Sequence, residues 1–235
     1  AVASYRFGEV SSQTVTGLGY SRQTGYGRGR NGVMPGIDLS NPDRRSTPVY
    51  GSTFSFYNAN TYTNVQAYLN QRLGFLQDRL YVTAGLMHYD TRTTGRNVLT
   101  GAAPSVLDDA KDMWSASVLY KVRDNAALYY SRSKNASPVI ANNLPLWREG
   151  VQDELGFKTA FFERKLSLNG SYFEISQTNV TVPNPAYQTD QTVPQTLVSD
   201  LNNHGFEVEL MGSLSPDLSV IATYSQLKMR DSLGR

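Results

Sequence analysis

Apolar and polar residues alternate with a period of two along most of this chain. The clearest stretch is Gly150–Ser176. There Leu155, Phe157, Thr159 and Phe161 alternate with Glu154, Gly156, Lys158 and Ala160. Successive side chains of a strand point to opposite faces, so each set occupies one face. A polar corner follows, Glu163-Arg164-Lys165, and then Leu166, Leu168 and Tyr172 alternate with Ser167, Asn169 and Ser171. The pattern predicts a long hairpin with one apolar and one polar face. The apolar face suits a packed soluble core or a lipid environment, and this stretch alone leaves both open.

The same period predicts further strands at Val2–Gly8, Thr14–Tyr20, Thr63–Leu73, Leu80–Asp90, Lys111–Val122, Ala126–Ser133, Gly205–Met211 and Leu218–Lys228. Their connections alternate in length. Glu9–Ser12, Gly74–Asp78, Arg123–Asn125, Glu163–Lys165 and Ser213–Asp217 are short. Ser21–Ser52, Thr91–Ala110, Lys134–Glu149 and Gln177–Leu201 read as long loops. The first holds Gly25, Gly27, Gly29, Gly32, Pro35, Gly36, Pro42 and Pro48, and the third holds Pro138, Asn142-Asn143 and Pro145. A compact soluble domain rarely carries a structureless connection of about thirty residues. Outer-membrane barrels do combine short turns at one end with long loops at the other. Strands of about nine to eleven residues match a tilted bilayer crossing. The expected fold is therefore all-β: about ten strands of an antiparallel up-and-down transmembrane β-barrel. No helical period interrupts the series, so no parallel crossover unit is expected.

Composition narrows the chemistry. Among 235 residues, 22 Lys+Arg face 20 Asp+Glu, a net charge of +2. No basic stretch dominates, so no nucleic-acid partner is implied. The absence of Cys excludes disulfides and thiolate metal sites. No apolar run reaches the roughly 18 residues of a membrane helix, which leaves a membrane barrel open. The 15 tyrosines suit strands and the interfacial girdles of a barrel alike. Gly25-Tyr26-Gly27-Arg28-Gly29-Arg30 lacks the strand before and helix after that a phosphate cradle needs, so it reads as an external loop. Asp108, Asp109 and Asp112 read as solvated loop carboxylates rather than a calcium site. Glu154, Lys158, Glu207 and Glu209 read as the wet wall of a lumen rather than acid–base machinery. Neither His88 nor His204 belongs to a Ser-His-Asp order or nucleophile elbow. Neither enzyme chemistry nor a resident cofactor is expected.

Several strands together resemble the barrel of TonB-dependent outer-membrane receptors, in the ferric-siderophore branch. The resemblance rests on Val65–Gln71, Asp78–Leu86, Ala127–Ser133, Glu154-Leu155-Gly156-Phe157-Lys158 with Tyr172-Phe173, and Gly205-Phe206-Glu207-Val208-Glu209. Met87-His88 precede Tyr89-Asp90 where the family carries Arg, a departure from its pattern. The resemblance implies part of a 22-stranded, plugged type of barrel. Residues 1–235 are then expected to be a partial barrel domain without the plug and the C-terminal closing strands, both chain ends reading as cuts. It also implies location in the outer membrane of a Gram-negative bacterium, lipid contact, coupling through the plug to a TonB-type protein, and uptake of ferric siderophores. Uptake of another bulky nutrient such as a cobalamin or an oligosaccharide, a non-transporting adhesin or porin, and a soluble carbohydrate-binding sandwich are the alternatives. The expected ligand contacts are the aromatic and cationic loop residues Tyr26, Arg28, Arg30, Tyr50, Trp147, Arg148 and Tyr187. Trp147-Arg148 also suit an interfacial anchor.

Overall fold

The structure, a computed structural model, describes residues 1–34, 36, 40, 47–141, 144–194, 196–215 and 217–232. The expected loop positions Pro35, Pro42 and Asn142-Asn143 lie outside the described residues, as do the last three residues and the side chain of Pro145.

The strands are β1 (Val2–Phe7), β2 (Val10–Gly29), β3 (Gly32–Val33), β4 (Val49–Tyr50), β5 (Phe56–Phe75), β6 (Leu80–Asn97), β7 (Ser105–Arg123), β8 (Ala126–Ala141), β9 (Leu144–Phe161), β10 (Leu166–Pro183), β11 (Thr196–Ser215) and β12 (Leu218–Asp231). One 3₁₀ turn, Pro185–Gln188, lies between β10 and β11. Ten strands form a single sheet in chain order, β1-β2-β5-β6-β7-β8-β9-β10-β11-β12, and β3 pairs with β4 separately. The registered neighbours β1–β2 and β7 through β12 are antiparallel throughout. The expected up-and-down arrangement of about ten strands is therefore the one observed.

Strand lengths differ from expectation. β2, β5 and β11 each run 20 residues, and β6, β9 and β10 run 18. At about 3.3 Å per residue, 20 residues span roughly 65 Å, far more than the roughly 25 Å apolar band of such barrels. The alternation in the sequence marks only the part with one apolar face. Beyond it the backbone ladder continues while the apolar–polar alternation fades. The first nine residues of the expected loop Ser21–Ser52 are thus the end of β2, and Lys134–Glu149 is mostly the ends of β8 and β9, facing each other across Pro138 and Trp147. Thr91–Ala110 contracts to residues 98–104, and Gln177–Leu201 to residues 184–195.

The chain forms two compact units. The first comprises Ala1–Gly19, Val65–Asp90 and Ala110–Arg235. Its register confirms the expected faces. One row runs Tyr120, Leu128, Phe157, Gly170, Val208, Tyr224 across β7 to β12. The next row on that face runs Val118, Tyr130, Leu155, Tyr172, Phe206. These side chains stay open: Leu155 is 60% exposed, Tyr172 51% and Tyr224 59%. A contiguous apolar band of this extent is unusual on a water-soluble monomer.

The opposite face is polar and internally bonded. Glu154 accepts hydrogen bonds from the Tyr129 hydroxyl and from Gln152 Nε2. Lys158 lies over the Tyr129 ring at 5.3 Å. Asn169 donates to Glu209 at 3.4 Å, and Ser225 to Glu207 at 3.5 Å. Gly156 makes the Tyr129 contact possible, because a Cβ there would fall 2.5 Å from the ring.

Tight turns close the hairpins. Phe162, Glu163 and Arg164 all take positive φ, as do Leu76, Gln77 and Asp78. Asp78 accepts from the Ser11 hydroxyl and pairs with Arg6 at 2.6 Å. The hydroxyl first, and the guanidinium second, hold its carboxyl below the ordinary value of 3.8.

Candidate functional site

The second unit, Tyr20–Asn64 and Thr91–Asp109, carries the densest group of expected contact residues. Strand alternation in β2 places Gly25, Gly27 and Gly29 on one side and Tyr26 and Arg28 on the other. The glycine side is open for a reason: a Cβ at Gly29 would sit 2.3 Å from the Phe56 ring. At the strand's end, the Ser55 backbone N–H and hydroxyl both donate to the Gly29 carbonyl, at 2.8 and 3.0 Å. That clasp brings Phe54 beside β2. The Arg28 and Arg30 guanidiniums lie over the Phe54 ring, at 5.3 and 4.8 Å from its centre. Tyr57 is 6.0 Å from Phe54 and packs edge-on to Tyr26 at 6.5 Å.

The result is an aromatic platform bearing two exposed cations. Stacking orders each guanidinium plane and leaves its N–H edge for an acceptor. A bulky anion with paired oxygen acceptors and planar rings fits this chemistry, by charge-assisted hydrogen bonds and stacking. Phe54 and Tyr57 were not among the expected contacts. Their signal was the aromatic run Phe54-Ser55-Phe56-Tyr57, which stands between the Gly-rich segment and the alternation that returns at Thr63.

The other expected residues are placed separately. Tyr50 sits on the β3–β4 pair, 62% exposed, its ring against Gly32. In the first unit, Arg148 is exposed on β9 and Tyr187 is half-buried in the 3₁₀ turn. Trp147 is only 6% exposed and packs edge-on to Tyr89 at 6.2 Å. Asn179, held at φ 57°, donates to the Trp147 carbonyl at 2.7 Å. This ring holds β9 in place and offers a ligand almost no surface.

Two of the acidic candidates, Asp108 and Asp112, have basic partners. Asp112 meets His88 Nδ1 at 2.7 Å, and Asp108 meets Arg92 at 3.4 Å. Glu149 is bracketed by Lys111 at 2.8 Å and Lys134 at 2.7 Å. Among the described residues no three His, Asp or Glu side chains gather as a metal site.

A single up-and-down sheet of very long strands, apolar along one face and polar along the other, is a segment of the wall of a large β-barrel. The model of the TonB dependent receptor-like β-barrel family matches residues 2–234, and the chain belongs to that family. It is 24% identical over 271 aligned residues to the catecholate siderophore receptor Fiu of Escherichia coli, covering 99% of this chain and 35% of that protein. It is 25% identical to the ferripyoverdine receptor of Pseudomonas aeruginosa over 72% of this chain and 21% of that one. The crystal structure of the ferripyoverdine receptor bound to ferripyoverdine superposes with a TM-score of 0.78 at 22% identity, covering all of this chain and 32% of that one. The closed form of Fiu gives 0.77 at 17% identity, covering all of this chain and 37% of that one. The chain thus spans about a third of the length of these relatives.

Proposed function

We propose that this chain is part of the barrel of an outer-membrane receptor that takes up ferric siderophores in a Gram-negative bacterium. In this reading the face bearing Leu155, Phe157, Tyr172 and Phe206 meets lipid, and the face bearing Glu154, Lys158, Glu207 and Glu209 lines the lumen. A plug elsewhere in the protein couples uptake to a TonB-type partner. No covalent chemistry is needed, and none is proposed.

The observation that carries the ligand assignment is the pair of guanidiniums, Arg28 and Arg30, stacked on one ring, Phe54. Ferric chelates are bulky, oxygen-rich and often anionic or aromatic, and this platform supplies both cation and π-face. The siderophore-receptor names of the relatives support the same reading. Tyr26 contributes to the platform. Tyr50, Arg148 and Tyr187 are secondary contacts.

The test is binding and uptake of radiolabelled ferric chelates by the full-length receptor in a receptor-deficient host. Catecholate, hydroxamate and peptidic chelates are compared with a cobalamin. Uptake of a ferric chelate, with affinity at least tenfold lower in the Arg28→Gln/Arg30→Gln variant, supports the reading. Uptake of cobalamin and of no ferric chelate assigns a different cargo. Wild-type affinity in the double variant moves the contact away from this platform.

A further inference from the structure

The sequence contains two Asn-Gly pairs, Asn31-Gly32 and Asn169-Gly170, and the fold places them in opposite environments. Asn31 lies between β2 and β3, outside any strand, and is exposed together with Gly32. Gly32 faces Tyr50 in the β3–β4 pair, and the Gly51 N–H donates to the Asn31 carbonyl at 2.9 Å. That bond flanks the Gly32–Tyr50 position, so the two residues form a non-hydrogen-bonded pair of the ladder. The Gly32 N–H therefore points away from β4. β3 and β4 form a sheet of two strands alone, and among the described residues nothing accepts from this N–H.

Gly170 is the counterexample. It sits in β10, registered with Phe157 of β9 and Val208 of β11. In an interior antiparallel strand every N–H is committed to one neighbour or the other. Gly170 is buried under the Phe157 ring, and Asn169 Nδ2 donates to Glu209 at 3.4 Å. The chemistry open to an Asn-Gly pair needs the opposite: a free N–H on the glycine, no Cβ to shield it, and a backbone that can turn. Asn31 also follows Arg30 directly and lies three residues after Arg28. These are the two guanidiniums of the Phe54 platform. Positive charge lowers the cost of the amide anion that forms as Gly32 loses its proton.

We infer that Asn31 is a site of spontaneous deamidation, which places a carboxylate beside the Arg28–Arg30 platform as the protein ages. The Gly32 nitrogen attacks Cγ of Asn31. The new N–Cγ bond closes a succinimide ring, the Cγ–Nδ2 bond breaks, and Nδ2 leaves as ammonia, taking the proton that Gly32 loses. Water then opens the ring at either carbonyl. One opening gives Asp; the other gives an isoaspartyl link, with an additional methylene in the backbone. No oxidant, reductant or enzyme is required. Either product sets a negative charge next to Arg30 and offsets one of the platform's two cations. The isoaspartyl link also displaces the bond from Gly51 to the residue 31 carbonyl, and with it the register that seats Tyr50 against Gly32. The modification does not depend on what the platform binds, whereas its effect on ligand rests on the ferric-chelate reading.

The test ages purified full-length receptor in detergent at physiological temperature and mildly alkaline pH. Peptide mapping by mass spectrometry reads conversion at each Asn, and enzymatic methylation of isoaspartate reads the isomer. Expected is a progressive gain of about one mass unit at Asn31, with Asn169 unchanged over the same period. In denaturant the two sites should convert at similar rates, because the fold alone separates them. No conversion at Asn31, or conversion of Asn169 as fast as Asn31 in the folded receptor, would overturn the inference. Ferric-chelate affinity is compared in the same samples. Aged wild type and fresh Asn31→Asp should bind about fivefold more weakly than fresh wild type. Aged Asn31→Gln should not, since a glutamine amide closes its ring far more slowly. Undiminished affinity after full conversion would overturn the effect on the platform. Undiminished affinity in Arg28→Gln/Arg30→Gln would instead remove the platform reading and leave the deamidation, read by mass, standing.

Discussion

Arginine scanning of one sheet row tests the lipid-facing assignment with a magnitude set by depth. Phe157, Gly170, Val208 and Tyr224 share a row on the apolar face. Phe157 lies five residues before Phe162, where the turn begins. With a rise near 3.3 Å and a tilt near 40°, that is roughly 13 Å above the turn, about the middle of a 25 Å apolar band. A guanidinium there costs about 2–4 kcal/mol, and near the interface about 0–1. Phe157→Arg and Val208→Arg should therefore lose about 2–4 kcal/mol in equilibrium unfolding of the full-length receptor from lipid vesicles. Phe157→Arg should fall toward the upper end, because the Phe157 ring also covers Gly170, where even a Cβ would be 2.5 Å from it. Phe161→Arg, one residue from the turn, should lose about 1 kcal/mol or less. Lys158→Arg and Glu207→Arg, on the polar face, should stay within about 1 kcal/mol of wild type. Equal costs at 157 and 158, or at 208 and 207, would refute the facing. A cost at 161 as large as that at 157 would refute the depth.

Trp147→Ala should destabilise the barrel by about 3–5 kcal/mol, read as a lower denaturant midpoint, since the ring is buried against Tyr89; ligand affinity should move less than stability. Phe54→Ala should weaken ferric-chelate binding about fivefold even with both arginines present, because they lose the ring that orders them. Replacing residues 31–52 with a short Gly/Ser linker should preserve assembly, whereas replacing 21–52 removes part of β2 and should impair it. For Asp78, the folded-state pKa is lowered, so its stabilising effect is complete above about 3.8 and lost as pH falls through the lower folded value. The unfolding midpoint of Asp78→Asn should therefore lie below wild type at neutral pH and converge with it in acid.

The apolar half of each hairpin was legible because its environment is two-sided. Leu155, Phe157 and Phe161 must differ from Glu154 and Lys158 wherever one face meets apolar surroundings and the other water. The sequence also marked the tight corners, since Asp124-Asn125 and Glu163-Arg164-Lys165 are polar breaks between alternating runs. What it hid is the continuation of the strands. Residues 21–29 and 134–138 carry mostly polar or small side chains, and Gly25, Gly27 and Gly29 read locally as punctuation. Cross-strand backbone bonding supplies the order there, and a ladder depends on the neighbour rather than on local sequence. The glycines are strand residues because their missing side chains make room for the Phe56 ring.

The candidate site shows the same division. Arg28 and Arg30 stood out as cations in a Gly-rich segment, but what makes them a platform is Phe54, more than twenty residues later and brought alongside by Ser55 bonding to Gly29. Trp147 stood out for its size, and size is what buries it against Tyr89. A prominent residue type thus predicted that a position matters without predicting whether it matters to the ligand or to the wall. Pairing decides between the two. A long aromatic facing an aromatic across the sheet becomes wall, as Trp147 does, and a cation stacked on a ring at a strand's open end stays available, as Arg28 and Arg30 do. Within the first unit, Lys121 and Lys158 likewise rest on the Tyr81 and Tyr129 rings. Arg28 and Arg30 therefore keep their N–H edges for an anion that the described residues do not provide.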